Sequence, residues 1–139
     1  MKRLISAILM IPVLCSCVFL SCGAQQIECS PQYENAKVVS INLFITTSGE
    51  ATIKLTCSAN SDVTKVSVLT YLEKKVNGVW RRVEIPAENN QWVYTTDSKS
   101  FMKQYNVTIP SRGEYRAIAV FTLNASTTET VSKSSMATY

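Results

Sequence analysis

The chain contains no histidine. That absence removes Ser-His-Asp and Cys-His catalysis and every His-ligated metal site. Its four glycines are scattered, so no phosphate-cradling loop forms. Acids such as Glu84 and Glu88, or Glu114 and Glu129, lie singly on strand-like runs and read as solvated residues rather than a hydrolytic pair. Excess charge of either sign is also missing. Of the 14 Lys and Arg, two begin the chain as Lys2 and Arg3, leaving 12 against 10 acids, a net of +2. Lys74-Lys75 and Arg81-Arg82 sit beside Glu73 and Glu84, the pattern of a solvated strand face rather than a nucleic-acid patch. No window shows helical periodicity with caps. The expectation is a protein that is not an enzyme, uses no cofactor or metal, and binds no nucleic acid.

What is present begins with an address. Met1-Lys2-Arg3 precedes a near-unbroken apolar run from Leu4 to Leu20, followed by Ser21-Cys22-Gly23-Ala24. A basic start, an apolar middle and a small-residue exit are the parts of a secretory signal. The run is 17 residues long and broken by Pro12, at the short limit of the roughly 17–25 needed to span a bilayer. Cleavage after Ala24 is the working choice. Lipid attachment at Cys17 or Cys22 competes with it, because Leu14-Cys15-Ser16-Cys17 and Phe19-Leu20-Ser21-Cys22 each resemble a bacterial lipoprotein box. An uncleaved anchor is the third ending. The folded part is therefore expected to be secreted, or alternatively held as a lipoprotein, with no membrane contact beyond the signal segment or a lipid anchor.

Cleavage leaves 115 residues, enough for one domain with its own core. Residues 25–35 read as a flexible polar leader and residues 36–139 as the domain. Only Cys29 and Cys57 survive past the signal. They are a candidate disulfide in an oxidising compartment; alternatively Cys57, between Leu55 and Ala59 at period two, is a small core residue.

The domain reads as short alternating runs. Val39, Ile41, Leu43 and Ile45 form the first. After Ser48-Gly49, the alternation Ala51, Ile53, Leu55, Cys57, Ala59 is the cleanest half-buried strand in the chain. Val66–Lys74 is a third, joined by Asn77-Gly78, whose two positions both favour positive φ, to a strand from Trp80 to Ile85. A weaker extended stretch lies near Trp92-Val93-Tyr94. Phe101–Ile109, Glu114–Leu123 and Thr127–Thr138 complete an expected antiparallel β-sandwich of about seven strands.

Gly113-Glu114-Tyr115 gives that sandwich an immunoglobulin-like or fibronectin-III-like reading without fixing a subtype. In such domains a tyrosine near the start of strand F bonds back to the preceding corner, two residues before the second core cysteine. Ala117 stands where that cysteine would be, and Cys57 stands where the strand-B cysteine would be. The strand-C tryptophan is absent from Val66–Tyr71. The chain resembles a family of small, exported, uncharacterised immunoglobulin-like β-sandwich proteins of clostridia and related Gram-positive bacteria. The likeness covers about residues 36–139. It rests on Val63-Thr64-Lys65-Val66, Tyr71-Leu72-Glu73-Lys74-Lys75, Asn77-Gly78-Val79-Trp80, Arg112-Gly113-Glu114-Tyr115-Arg116 and Glu129-Thr130-Val131-Ser132. It implies the fold and export, and brings no activity and no site residues.

Two binding surfaces are suggested. If Tyr115, Ala117, Ala119, Phe121 and Leu123 face inward, Ile118 and Val120 face out. If Val66, Val68, Thr70 and Leu72 also face inward, Leu69 and Tyr71 join them in an exposed apolar strip extended by Trp80, suited to an unknown protein partner or a second copy. Ala117-Ile118-Ala119-Val120 is apolar on both faces, so register stays open at this level. Alternatively, Trp92 and Tyr94, together with Trp80 and Tyr105, are candidate stacking contacts for a cell-surface glycan.

Overall fold

The computed structural model describes residues 33–139. The signal segment, Cys17, Cys22 and Cys29 lie outside the described residues. Within them, eight strands form two antiparallel sheets in a β-sandwich-like arrangement. No helix among the described residues is long and apolar enough to cross a membrane.

The smaller sheet has the order β1-β2-β6, from β1 (Ala36–Ile45), β2 (Glu50–Ala59) and β6 (Ser100–Thr108). The larger runs β4-β3-β7-β8, from β3 (Lys65–Val76), β4 (Val79–Arg82), β7 (Glu114–Asn124) and β8 (Thr128–Thr138). The eighth strand, β5 (Trp92–Thr96), is the weak Trp92-Val93-Tyr94 stretch. It shares an edge of β3 with β4: β5 pairs with Val66–Thr70 and β4 with Glu73–Val76.

Local chemistry explains the turns. Asn77 and Gly78 both take positive φ, 51° and 81°, as a tight hairpin between β3 and β4 requires. Gly49 closes the β1–β2 hairpin at φ 86°, where a Cβ would lie 3.0 Å from the Tyr139 hydroxyl and 3.2 Å from the Ile109 carbonyl oxygen. Both backbone and space demand glycine there.

The core is built by alternation. Ala51, Ile53, Leu55 and Cys57 on β2 are fully buried, as are Val66, Val68, Thr70 and Leu72 on β3 and Tyr115, Ala117, Ala119, Phe121 and Leu123 on β7. Each large apolar side chain among them contributes about 1.5–3 kcal/mol by leaving water. Tyr115 adds a fixed point, because its hydroxyl donates to the Ser111 carbonyl at 2.5 Å. This is the backward bond anticipated for the Gly113-Glu114-Tyr115 corner.

Glu34 and Asn35, which the sequence places in a flexible leader, are tied down. The Glu129 carboxylate on β8 accepts backbone N–H bonds from Glu34 at 2.9 Å, Asn35 at 2.8 Å and Ala36 at 3.1 Å. Asn35 is buried and its side-chain amide donates to the Thr127 carbonyl at 3.1 Å.

Candidate interaction surface

With Val68, Thr70 and Leu72 inside, the intervening residues of β3 project from the outer face of the larger sheet. Pairing with β7 is in the register that aligns the apolar ones: Leu69 lies opposite Val120, and Tyr71 opposite Ile118. All four are half-buried. The register left open by the sequence is thus settled with Tyr115, Ala117 and Phe121 inward. The structure brings four of the five anticipated strip residues into two adjacent cross-strand pairs.

The fifth, Trp80, lies two steps further along this face and on the neighbouring strand β4, opposite Lys75. Its ring is covered by the Arg116 guanidinium, 4.4 Å from the centroid, with the Lys75 ammonium at 5.8 Å. Arg116 Nε also donates to the Glu73 carboxylate at 2.6 Å, and Lys75 pairs with Glu114 at 2.9 Å. On β4, Arg82 stacks its guanidinium 3.6 Å from the Tyr71 ring centroid. Such contacts contribute on the order of 0.5–1 kcal/mol each at exposed sites. Their larger effect is to hold Tyr71 and Trp80 in fixed orientations at the surface.

Sequence reasoning missed the margins of this face. Val93 projects opposite Leu69 with 65% of its surface exposed, and Met136 projects opposite Arg116 with 71% exposed. Val93 sits in the weakest strand signal of the chain. Met136 interrupts a Ser/Thr-rich strand, a signal visible in the sequence once the outward register of β8 is known. Arg82 reads as solvated charge, yet it and Arg116 both cover aromatic rings.

Trp92 and Tyr94 lie elsewhere. They pair with Thr70 and Val68, both buried, which turns their rings toward the inner side of the sheet. Trp92 stacks on Tyr105 with centroids 4.7 Å apart and planes at 9°, and Tyr94 meets Phe101 at 5.1 Å. The Lys103 ammonium sits 5.0 Å from the Tyr94 ring and 5.7 Å from that of Tyr105. These contacts occupy ring faces that a sugar would need. Burial, and then the neighbouring Tyr94, push the Tyr105 phenol above its ordinary value.

The acids are dispersed. Glu114 pairs with Thr138 and Glu129 with Leu123 along the β7–β8 ladder. Nine strand positions separate them, about 30 Å, so they form no hydrolytic pair. Among the described residues no cluster of three or more Cys, Asp or Glu could hold a metal ion.

Cys57 is fully buried, and burial pushes its thiol up to about 11 from an ordinary 9.0. A thiol-reactive disulfide reagent at neutral pH is expected to leave Cys57 unlabelled until the domain unfolds. The unfolded chain gives up this proton first as pH rises. The contribution to stability is therefore whole below pH 9 and lost progressively toward pH 11. Rapid labelling of the folded protein at pH 7 would contradict the packing of β2.

No family model and no curated protein matches this chain. Among solved structures it is similar to a family 76 glycoside hydrolase from a bovine Bacteroides thetaiotaomicron strain. The similarity has a TM-score of 0.40 at 15% identity, and covers 75% of this chain and 20% of that one. The chain therefore spans about a fifth of that enzyme's length, and a likeness at this level assigns neither family nor activity.

Proposed function

We propose that the chain is an exported, non-catalytic binding module of immunoglobulin-like, fibronectin-III-like type, and that it engages a protein through the outer face of its larger sheet. The observation that carries this reading is the pairing of Leu69 with Val120 and Tyr71 with Ile118, flanked by exposed Val93 and Met136. An aliphatic centre with Tyr71, Trp80, Arg82 and Arg116 around it has the composition of an energetic hot spot, where Trp, Tyr and Arg are enriched. The cation–π contacts pre-orient the aromatic side chains, which lowers the ordering cost of association. In support of the fold type, the three-strand and four-strand paths match an A-B-E sheet facing a C′-C-F-G sheet, and Tyr115 makes the strand-F corner bond. Export, whether secreted or lipid-anchored, rests on the first 24 residues.

The test uses the full chain displayed by its exporting cell, with a photo-crosslinking residue placed at Tyr71 and, as a control, at Thr56 on the other sheet. A discrete protein adduct is expected from position 71 alone. Ile118→Glu with Val120→Glu should abolish it while the circular dichroism spectrum and melting point stay near wild type, since both residues point away from the core. Loss of about 2 kcal/mol or more per hot-spot residue predicts weakening beyond a hundredfold. An adduct indifferent to the charges, or none from position 71, overturns the reading. A ladder of the chain's own mass would identify a second copy as the partner.

A further inference from the structure

The outer face of the smaller sheet differs in chemistry from that of the larger. Pairing aligns Asn42, Lys54 and Gln104 in one row across β1, β2 and β6, and Phe44, Thr52 and Asn106 in the next. Five of these six line a depression of about 500 Å³, Asn106 lying beside it. That volume falls within the roughly 300–1,000 Å³ of small-ligand sites. Phe44 stands in it with 65% of its surface exposed, the one large apolar group in the two rows. Around the ring are three carboxamides, a threonine hydroxyl and one ammonium. The Gln104 side-chain N–H donates to the Asn106 carbonyl oxygen at 3.0 Å, which holds two of the amides in fixed relation.

We infer that this depression is a carbohydrate site, and that it takes an oligosaccharide whose rings carry a carboxylate. An exposed ring face accepts the C–H face of a pyranose. After that bond Gln104 keeps its oxygen and one N–H and Asn106 its two N–H groups, a mix of acceptor and donors that vicinal hydroxyls satisfy. Within these two rows no aliphatic side chain accompanies Phe44; the exposed Met102 stands in the next row, opposite Thr56, and Val38 beyond it. Charge selects the kind of sugar. Lys54 makes no ion pair among the described residues, and no carboxylate lines the depression. The nearest outward acid along β2, Glu50, lies at its end and accepts from the Thr108 hydroxyl at 2.6 Å. An uncompensated ammonium beside hydroxyl-reading amides is complementary to a uronic acid. Phe44 therefore supplies the stacking platform, Asn42 and Gln104 read hydroxyls, and Lys54 reads the acid. The site is separate from the protein-binding face and does not depend on it.

The experiment titrates the full chain with a galacturonic-acid oligomer and, in parallel, with the uncharged galactose oligomer, followed by calorimetry and by backbone amide shifts. The acidic oligomer should bind, with shifts concentrated on β1, β2 and β6 around Asn42–Phe44, Thr52–Lys54 and Gln104–Asn106. Phe44→Ala should weaken it at least tenfold with an unchanged melting point. Lys54→Gln should bring the acidic oligomer down to the affinity of the uncharged one. Ile118→Glu with Val120→Glu should bind sugar as wild type does, so that failure at one face is distinguishable from failure at the other. Absence of binding, equal binding of both oligomers by the wild type, or shifts centred on β3 and β7 would each overturn the inference.

Discussion

Replacing Glu129 with alanine is expected to lower the stability of the domain by about 3 kcal/mol, a fall in melting point of roughly 10–15 °C for a domain of this size. One carboxylate holds three consecutive backbone N–H groups, those of Glu34, Asn35 and Ala36. Bonds to a charged acceptor are each worth about 1.5–3 kcal/mol when sheltered, and the bond to Glu34 is exposed, which reduces the sum. The same segment is stitched on its other side, where the Asn60 amide donates to the Glu34 carbonyl at 2.7 Å and the Asn60 N–H to the Asn35 carbonyl at 2.8 Å. Glu129 thus joins the entry of β1 in one sheet to β8 in the other. Glu129→Gln retains an acceptor and should lose about half as much. Amide exchange at residues 34–36 should quicken in both variants, most in the alanine one. A melting point within a degree or two of wild type would show that the clamp contributes nothing to the folded state.

The clamp was invisible in the sequence because it links residues more than 90 positions apart, and an isolated glutamate on a Ser/Thr-rich strand looks like any solvated acid. What could be read was whatever one strand decides alone. On β2 the apolar Ala51, Ile53, Leu55, Cys57 and Ala59 alternate with polar residues without exception, so the sequence pattern declares both the strand and its inner face. On β7 burial alternates just as strictly, but Ala117, Ile118, Ala119 and Val120 are all apolar, so in the sequence two registers fit equally well. Tyr115 breaks the tie: its ring must reach the core while its hydroxyl reaches Ser111, and that selects the odd-numbered residues as the inner set.

The aromatic residues near β5 escaped for a different reason. A five-residue strand carries too little pattern to announce its partner or its side. Pairing with Val66–Thr70 turned Trp92 and Tyr94 inward, against rings supplied by β6. Lys103 compounds the difficulty. It shares a face of its edge strand with Phe101 and Tyr105, opposite Leu55, where a charge would ordinarily argue against an inner position. Proximity to two tyrosine rings makes it tolerable there. The depression around Phe44 is likewise a product of pairing, because Asn42, Lys54 and Gln104 come from three strands and read singly as solvent-tolerant neighbours.

The immunoglobulin-like type admits a direct chemical test, with an effect larger than that at Glu129. On that reading Cys57 on β2 and Ala117 on β7 occupy the two positions that an inter-sheet disulfide normally joins. Both are fully buried, and the strands, though in different sheets, approach within 8 Å between Cα atoms. Disulfides need Cα atoms about 4.4–6.8 Å apart with converging Cβ vectors. Ala117→Cys, made with Cys29→Ser so that no other thiol of the domain competes, is expected to oxidise to completion during export. Closing a loop of about 60 residues should raise stability by about 4 kcal/mol on the chain-entropy model, and reduction should return it to the parent value or slightly below, because the added sulfur crowds a packed core. The readouts are the free-thiol count of the unfolded protein and its denaturant midpoint with and without reductant. Two free thiols after oxidising export, with a midpoint below the parent, would show that β2 and β7 do not oppose these residues. The immunoglobulin-like assignment of those strands would then fail, while the all-β architecture of two antiparallel sheets would stand.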